Sequence, residues 1–281
     1  MSRNGIKMSL YGRAKTGKTR LLATFPKPVL IIGGEDGTAS VSTLDGVDFI
    51  QVIMRGQDPP VGVDGKPKPH IYLDQVGNLI DEVRPSKYAT VGLDGASFVA
   101  DMYLAQILGV VKLPEQKSWG MAAREQYGQQ GLQMKTMLRS LLDLPQHVVI
   151  VAHERNFNDD GGSSELITPH VGSALSPGVA GWLNGAVEYI CQTFIREQTV
   201  AVKESMVEGE APVEVVTKTG KMEYCLRTGP HPVYHTGFRL PPTAGFQLPD
   251  VIVNPTYEKI AALVRGEQYR PAAKPLPSPR K

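Results

Sequence analysis

The stretch that decides the fold is GRAKTGKT, which runs from Gly12 to Thr19. It matches the pattern GxxxxGK[ST] at every fixed position. The apolar run from Ile6 to Tyr11 predicts a strand before it, and the segment from Lys18 to Thr24 predicts a short helix after it, ended by Pro26. A preceding strand and a following helix are the context that this motif requires, so the stretch predicts a phosphate-binding P-loop.

The residue types of this loop indicate its chemistry. Glycines let the backbone turn so that successive N–H groups point at phosphate oxygens. We expect the Lys18 side chain to lie in open phosphate space and reach the β and γ phosphates, and the Thr19 hydroxyl to ligate Mg²⁺. The loop therefore predicts a protein that binds and hydrolyses ATP with Mg²⁺. The predicted nucleotide contacts are Gly12, Arg13, Ala14, Lys15, Thr16, Gly17, Lys18 and Thr19.

Outside the loop, composition narrows the class of protein. The chain has 281 residues, of which 41% are hydrophobic, and this is enough for one large α/β domain. A net charge of +2 gives no polycationic signature, and two cysteines exclude a disulfide framework. No apolar run reaches the roughly 20 residues of a membrane helix, and no signal-peptide stretch begins the chain. These features predict a soluble cytoplasmic protein.

Strand-like and helix-like runs alternate as far as about residue 195, which predicts a mainly parallel central sheet flanked by helices. Val29 to Ile32 is apolar throughout, as in a strand covered on both faces. Glu204 to Gly220 is interpreted as a hairpin excursion. Residues 1–265 are predicted to form one domain. The last sixteen residues, with four prolines and four basic side chains, are predicted to be a disordered tail over 266–281.

Acidic and polar side chains follow the predicted strands where a metal-nucleotide site needs them. Asp94 ends an apolar run and is the candidate Mg²⁺ carboxylate. Glu35 closes the run VLIIGGE and is the candidate general base, with a solvated loop acid as the alternative, and Asp36 competes for the same role. His153 ends the run HVVIVA, and from its position it is equally a phosphate-contacting residue or a structural histidine.

The order of these motifs resembles the RecA-like ATPases of phages, especially the single-strand-annealing recombination ATPases of the Sak group. The likeness covers roughly residues 5–265 and rests on GRAKTGKT, IIGGEDGT, TVGLDGAS, VVIVAHER and ITPHVGSALSPGVAGWLNGAVEYI. It implies a RecA-like P-loop NTPase fold, in which Glu35 matches the catalytic glutamate, Asp94 the Walker B aspartate and His153 the polar sensor. The first motif is specific to P-loop proteins in general, and the order of the others indicates this branch.

The same resemblance implies a role in DNA recombination, repair or single-strand annealing. The partners it implies are single-stranded DNA, further copies of the chain in a ring or filament, and a single-strand-binding protein. The segments Lys112 to Arg124 and Arg155 to Gly178 match the two loops that face DNA in recombinases. The first carries the basic and aromatic side chains that sequence-neutral strand binding uses, and the candidate DNA contacts are Lys112, Lys117, Trp119 and Arg124.

Two departures from the group are visible, and they leave other functions open. A lysine expected near the last strand is missing from His235–Arg239, which leaves Arg239 as the candidate basic residue acting on a neighbouring subunit. The second segment is acidic, which is unfavourable for phosphate contact. The alternatives are a motor, a nucleotide kinase and a nucleotide-dependent assembly module.

Overall fold

A computed structural model describes residues 5–41, 43–111, 122–157, 170–204, 213–240 and 246–267. Its centre is a run of parallel strands, which includes the strand that leads into the P-loop. In spatial order these strands are β8 (Tyr189–Glu204), β1 (Lys7–Gly12), β6 (His147–Asn156), β5 (Thr90–Asp94), β2 (Val29–Gly33), β3 (Val47–Ile53) and β4 (His70–Tyr72). The predicted α/β fold with a mainly parallel sheet is therefore confirmed.

Antiparallel strands extend the sheet beyond β8. Strand β9 (Val213–Arg227) pairs with β8 in a long hairpin, and β11 (Val251–Val253) pairs with β9. Two short strands, β7 (Val171–Ser173) and β10 (Gly237–Phe238), pair with β6 and β8. The hairpin predicted over 204–220 is thus much longer than expected, because it begins at Tyr189.

Helices cover both faces of the sheet. On one face lie α2 (Val76–Val83), α3 (Ala96–Ile107), α4 (Arg124–Leu142) and α5 (Pro177–Ala186), and on the other lie α1 (Lys18–Leu22) and α6 (Tyr257–Val264). Alternate residues of β2 enter the two cores, Leu30 and Ile32 on one side and Val29 and Ile31 on the other. This double coverage is why the strand is apolar at every position.

The described residues include the end of the predicted domain but almost none of the predicted tail. Helix α6 lies within the predicted domain and packs in the same core as α1. The predicted tail lies almost wholly outside the described residues, which end at Glu267. In the part of the chain that the structure describes, no helix has the length and apolarity needed to cross a bilayer.

Candidate functional site

The P-loop connects β1 to α1 and packs tightly against β8. A Cβ added at Gly12 would lie 2.3 Å from Thr193 Oγ1, so only glycine fits at this contact. The Thr16 hydroxyl lies 2.7 Å from the Thr193 hydroxyl, and it also contacts the Arg13 carbonyl at 2.8 Å. Gly17 has a φ of 86° at the N-cap of α1, a left-handed conformation that glycine adopts without strain. Steric constraints therefore explain why both fixed glycine positions of the motif are occupied by glycine.

Lys18 does not lie in open phosphate space as the sequence suggested. Its Nζ donates hydrogen bonds to the Gly12 carbonyl at 2.9 Å and to the Arg13 carbonyl at 2.7 Å. Burial lowers the pKa of Lys18, and the nearby carboxylates Asp94 and Glu35 oppose this shift. The ammonium group therefore bridges two backbone carbonyls of the P-loop.

Thr19 and Asp94 form the part of the site suited to a cation. The Thr19 hydroxyl donates a 2.6 Å hydrogen bond to Asp94 Oδ2, and Asp94 is only 6% exposed. Burial raises the pKa of Asp94, although the Thr19 hydrogen bond partly opposes the shift. A hydroxyl and one carboxylate fit Mg²⁺, which keeps several water or phosphate ligands of its own. Consistent with this, the described residues contain no cluster of three or more His, Cys, Asp or Glu side chains placed to hold a metal.

Asp94→Asn should raise the stability of the nucleotide-free protein. Because the pKa is raised in the folded state, ionisation of Asp94 costs stability as pH rises above its ordinary value of 3.8. The variant should therefore melt higher than wild type at pH 7.5, by roughly 2–4 °C for each kcal/mol recovered. It should also lose most of the stabilisation that Mg²⁺ and ATP give the wild type. A thermal melt with and without Mg·ATP measures both effects.

The gain in melting temperature should shrink as pH falls toward 3.8 and disappear below it, where Asp94 becomes protonated in both states of the wild type. A variant that melts below wild type at pH 7.5 without nucleotide would contradict the proposed cost of burying this carboxylate. Undiminished protection by Mg·ATP would remove Asp94 from the metal site.

Glu35 lies beside both Asp94 and His153. The Gly34 N–H donates a 2.7 Å hydrogen bond to the Asp94 carbonyl, which draws the end of β2 against the end of β5. The next side chain, Glu35, then comes within 3.4 Å of His153 Nε2 through Oε1. Asp36 instead forms an ion pair with Lys68, 2.7 Å from Nζ to Oδ2. The geometry therefore groups Glu35, and not Asp36, with the metal-site aspartate and the histidine.

Comparisons with known proteins identify the family of the chain. A model of the AAA domain family matches residues 4–240, which is most of the chain. The chain belongs to the AAA domain family. The P-loop and this membership together make it a P-loop ATPase domain with the fold that the sequence predicted. A search of curated proteins gave no match.

Among solved structures, the flagellar accessory protein FlaH from Methanocaldococcus jannaschii matches this AAA domain with a TM-score of 0.35 and 9% identity. The match covers 81% of this chain and 84% of FlaH. At this identity and TM-score, the likeness carries no argument about ligands or assembly.

The AAA domain also contains a polar chain that sequence reasoning missed. Arg13 of the P-loop contacts Glu154 at 3.0 Å, and Gln192 Nε2 donates to the other oxygen of Glu154 at 2.9 Å. Arg227 Nε donates to Gln192 Oε1 at 3.1 Å, and its guanidinium lies over the Phe194 ring. Glu154 follows His153 directly after the apolar run of β6, so its position in the sequence was a usable signal. The partners on β8 and β9 gave none, because only the sheet pairing brings them close.

The predicted DNA contacts fall mostly outside the described residues. Lys112, Lys117 and Trp119 lie there, whereas Arg124 is exposed at the first turn of α4. The predicted second segment was too long. Its described ends contain β7 and the start of α5, and the Phe157 N–H bonds the His170 carbonyl across the hairpin of β6 and β7.

Arg239 lies far from the P-loop of its own AAA domain. Strand β10 pairs with Tyr189 and Ile190 at the beginning of β8, and the Arg239 N–H bonds the Glu188 carbonyl just before it. The P-loop instead meets β8 at Thr193, beside the carboxyl end of β1. Arg239 is therefore not placed to touch a nucleotide in the same chain.

Proposed function

We propose that this AAA domain binds Mg·ATP at Gly12–Thr19 and hydrolyses it, with Glu35 as the general base. The observation that carries the proposal is the convergence of three groups at the carboxyl edge of the sheet. These are the Lys18 ammonium on the loop carbonyls, the Thr19–Asp94 pair, and Glu35 beside His153. Phosphate, metal and water would each find a group of suitable charge there.

Each residue has a task in this reaction. The loop N–H groups and Lys18 hold the phosphates, and Thr19 and Asp94 hold Mg²⁺, which neutralises charge on the phosphate oxygens when bound. Glu35 accepts a hydrogen bond from the attacking water and aligns it with the terminal phosphorus. His153 orients the Glu35 carboxylate from one side, and its own backbone N–H is held by Ser97 Oγ at 3.3 Å.

We further propose that ATP turnover serves DNA recombination, repair or single-strand annealing, as in the phage Sak group. The order of the five sequence motifs supports this assignment. Helix α4, which packs on α3 and α5, also presents Arg124 at its exposed first turn. Exposed basic side chains there are suited to the phosphate backbone of a single strand.

A subunit interface at the nucleotide would explain the position of Arg239. Because this side chain lies at the edge of the sheet opposite its own P-loop, it would act on ATP only in a neighbouring copy. A head-to-tail contact of that kind produces a ring or a filament.

Single-stranded DNA should stimulate ATP hydrolysis, since assembly along a strand would bring such copies together. The test compares steady-state ATP turnover with and without an oligonucleotide at low salt. Equal rates, together with no DNA binding in the presence of a non-hydrolysable ATP analogue, would reject the recombination role. A motor, a kinase or an assembly module would then be favoured.

Two substitutions separate the types of DNA contact within the same experiment. Trp119→Ala should remove stacking of roughly 1–3 kcal/mol and leave the salt dependence nearly unchanged. Lys117→Ala should weaken binding and also flatten the salt dependence, by about 0.7 log units per tenfold salt for one lost phosphate contact. Fluorescence anisotropy of a labelled oligonucleotide measures both affinities. Lys27→Ala, at an exposed lysine before β2, is the control.

A further inference from the structure

One face of the β8–β9 hairpin carries exposed apolar side chains beside the P-loop. Tyr224 is 46% exposed, Ile195 36% and Met222 65%. Ile195 is paired with Tyr224, and Met222 is two residues from Tyr224 on the same strand. Side chains two residues apart in a strand, and those directly paired across a ladder, point to the same face. The three therefore form one surface, which we call the hairpin patch.

The hairpin patch is continuous with the P-loop. A Cβ added at Gly17 would lie 3.3 Å from Cδ1 and 3.6 Å from Cε1 of Tyr224, so the tyrosine ring rests on the loop. Thr193, which contacts Thr16 at 2.7 Å, precedes Ile195 by two residues and lies on the same face. The apolar surface thus begins where the loop ends.

The strand order indicates which way the triphosphate of a bound nucleotide would run across the sheet. Glu35 comes shortly after the end of β2, Asp94 is the last residue of β5 and His153 lies within β6, and all three strands are on one side of β1. Strands β8 and β9 lie on the other side of β1, and β9 is two strand spacings away, about 10 Å. With the terminal phosphate among the acidic residues, the nucleoside end of the ligand extends toward the hairpin.

We propose that the hairpin patch is the seat of the nucleobase, with the base stacked on the Tyr224 ring and flanked by Ile195 and Met222. This inference rests on the proposed binding of ATP at the P-loop. An exposed aromatic ring with two aliphatic neighbours offers a base an apolar, flat surface. Of the three described side chains of the patch, Tyr224 alone carries a hydrogen-bonding group. The neighbouring Glu197, paired with Met222, already contacts Lys218 and the Gly220 N–H, so the patch accepts purines with little discrimination between adenine and guanine.

The test compares two ligands that share phosphates and differ in the base. Isothermal titration calorimetry with Mg²⁺ measures the affinity of a non-hydrolysable ATP analogue and of inorganic tripolyphosphate. Tyr224→Ala should weaken the ATP analogue about tenfold or more and leave tripolyphosphate within twofold, since only the base stacks. Tyr224→Phe should keep wild-type affinity for both, and Met222→Ser should give a smaller loss for the analogue alone.

Tyr127→Ala, at a tyrosine 50% exposed on α4, is the matched control and should change neither affinity. Unchanged affinity of the ATP analogue in Tyr224→Ala would overturn the proposal. The same holds if this variant keeps its affinity but changes its oligomeric state, because the patch would then be a contact between subunits. An equal loss for both ligands would overturn it too, because Tyr224 would then only support the loop. Wild-type protein that binds neither ligand would refute ATP binding itself, a result distinct from any effect of the Tyr224 substitutions.

Discussion

Lys18→Ala is expected to abolish tight ATP binding and measurable turnover. The substitution removes the only side-chain ammonium that the described structure places on the P-loop carbonyls, at 2.7 and 2.9 Å. It therefore removes the ammonium group that would contact the β and γ phosphates when a nucleotide binds. It also removes two charge-assisted hydrogen bonds from the loop, so a loss of stability accompanies the loss of binding.

A second lysine in this chain provides a matched control. Lys259 Nζ donates to the carbonyls of Val253 and Asn254 at 2.8 and 2.9 Å, in a part of the fold distant in sequence from the loop. Lys259→Ala should cost similar stability and leave ATP affinity intact. Nucleotide titration and a thermal melt of both variants separate the two effects. Tight ATP binding by the Lys18 variant would move the nucleotide site away from this loop.

Glu35→Gln is expected to reduce turnover by ~10²-fold or more while ATP still binds, which is the usual contribution of a general base. The amide keeps the size of the side chain and loses the ability to accept the water proton. Its neighbour Asp36 provides the contrast, because its carboxylate is held 2.7 Å from Lys68 Nζ. Asp36→Asn should therefore leave turnover within a few-fold of wild type.

Rate measurements at saturating ATP, with binding measured separately, distinguish the two acids. A severe defect in the Asp36 variant and a mild one in the Glu35 variant would reverse the assignment. A mild defect in both variants would show that neither carboxylate after β2 acts as the general base.

The predictable parts of the fold were those with strong local patterns. Strands such as β2 and β5 read as apolar runs because both faces are covered. Helix α4 carries an apolar stripe only from Met134 onward, since its first turns, from Arg124, are mostly polar and exposed. The length of the β8–β9 hairpin was missed because its outer residues are too polar to form an apolar pattern.

The site divides in the same way. Residues at or just after the end of an apolar run could be predicted from sequence, and Glu35, Asp94 and His153 are of this kind, although β6 continues beyond His153 to Asn156. Residues brought in from distant strands could not, and Gln192 and Arg227 near the loop are examples. The resting position of Lys18 was also beyond prediction, because the loop carbonyls that it contacts face inward only after the loop has folded.

That resting position gives the loop a threshold for its ligands. Any anion that engages Lys18 must replace two charge-assisted hydrogen bonds, each worth about 1.5–3 kcal/mol. A single phosphate ion offers few contacts to offset such a loss, whereas a polyphosphate reaches the ammonium, the backbone N–H groups and a metal ion together. Lys18 therefore favours a polyphosphate over a single phosphate ion as the ligand of this loop.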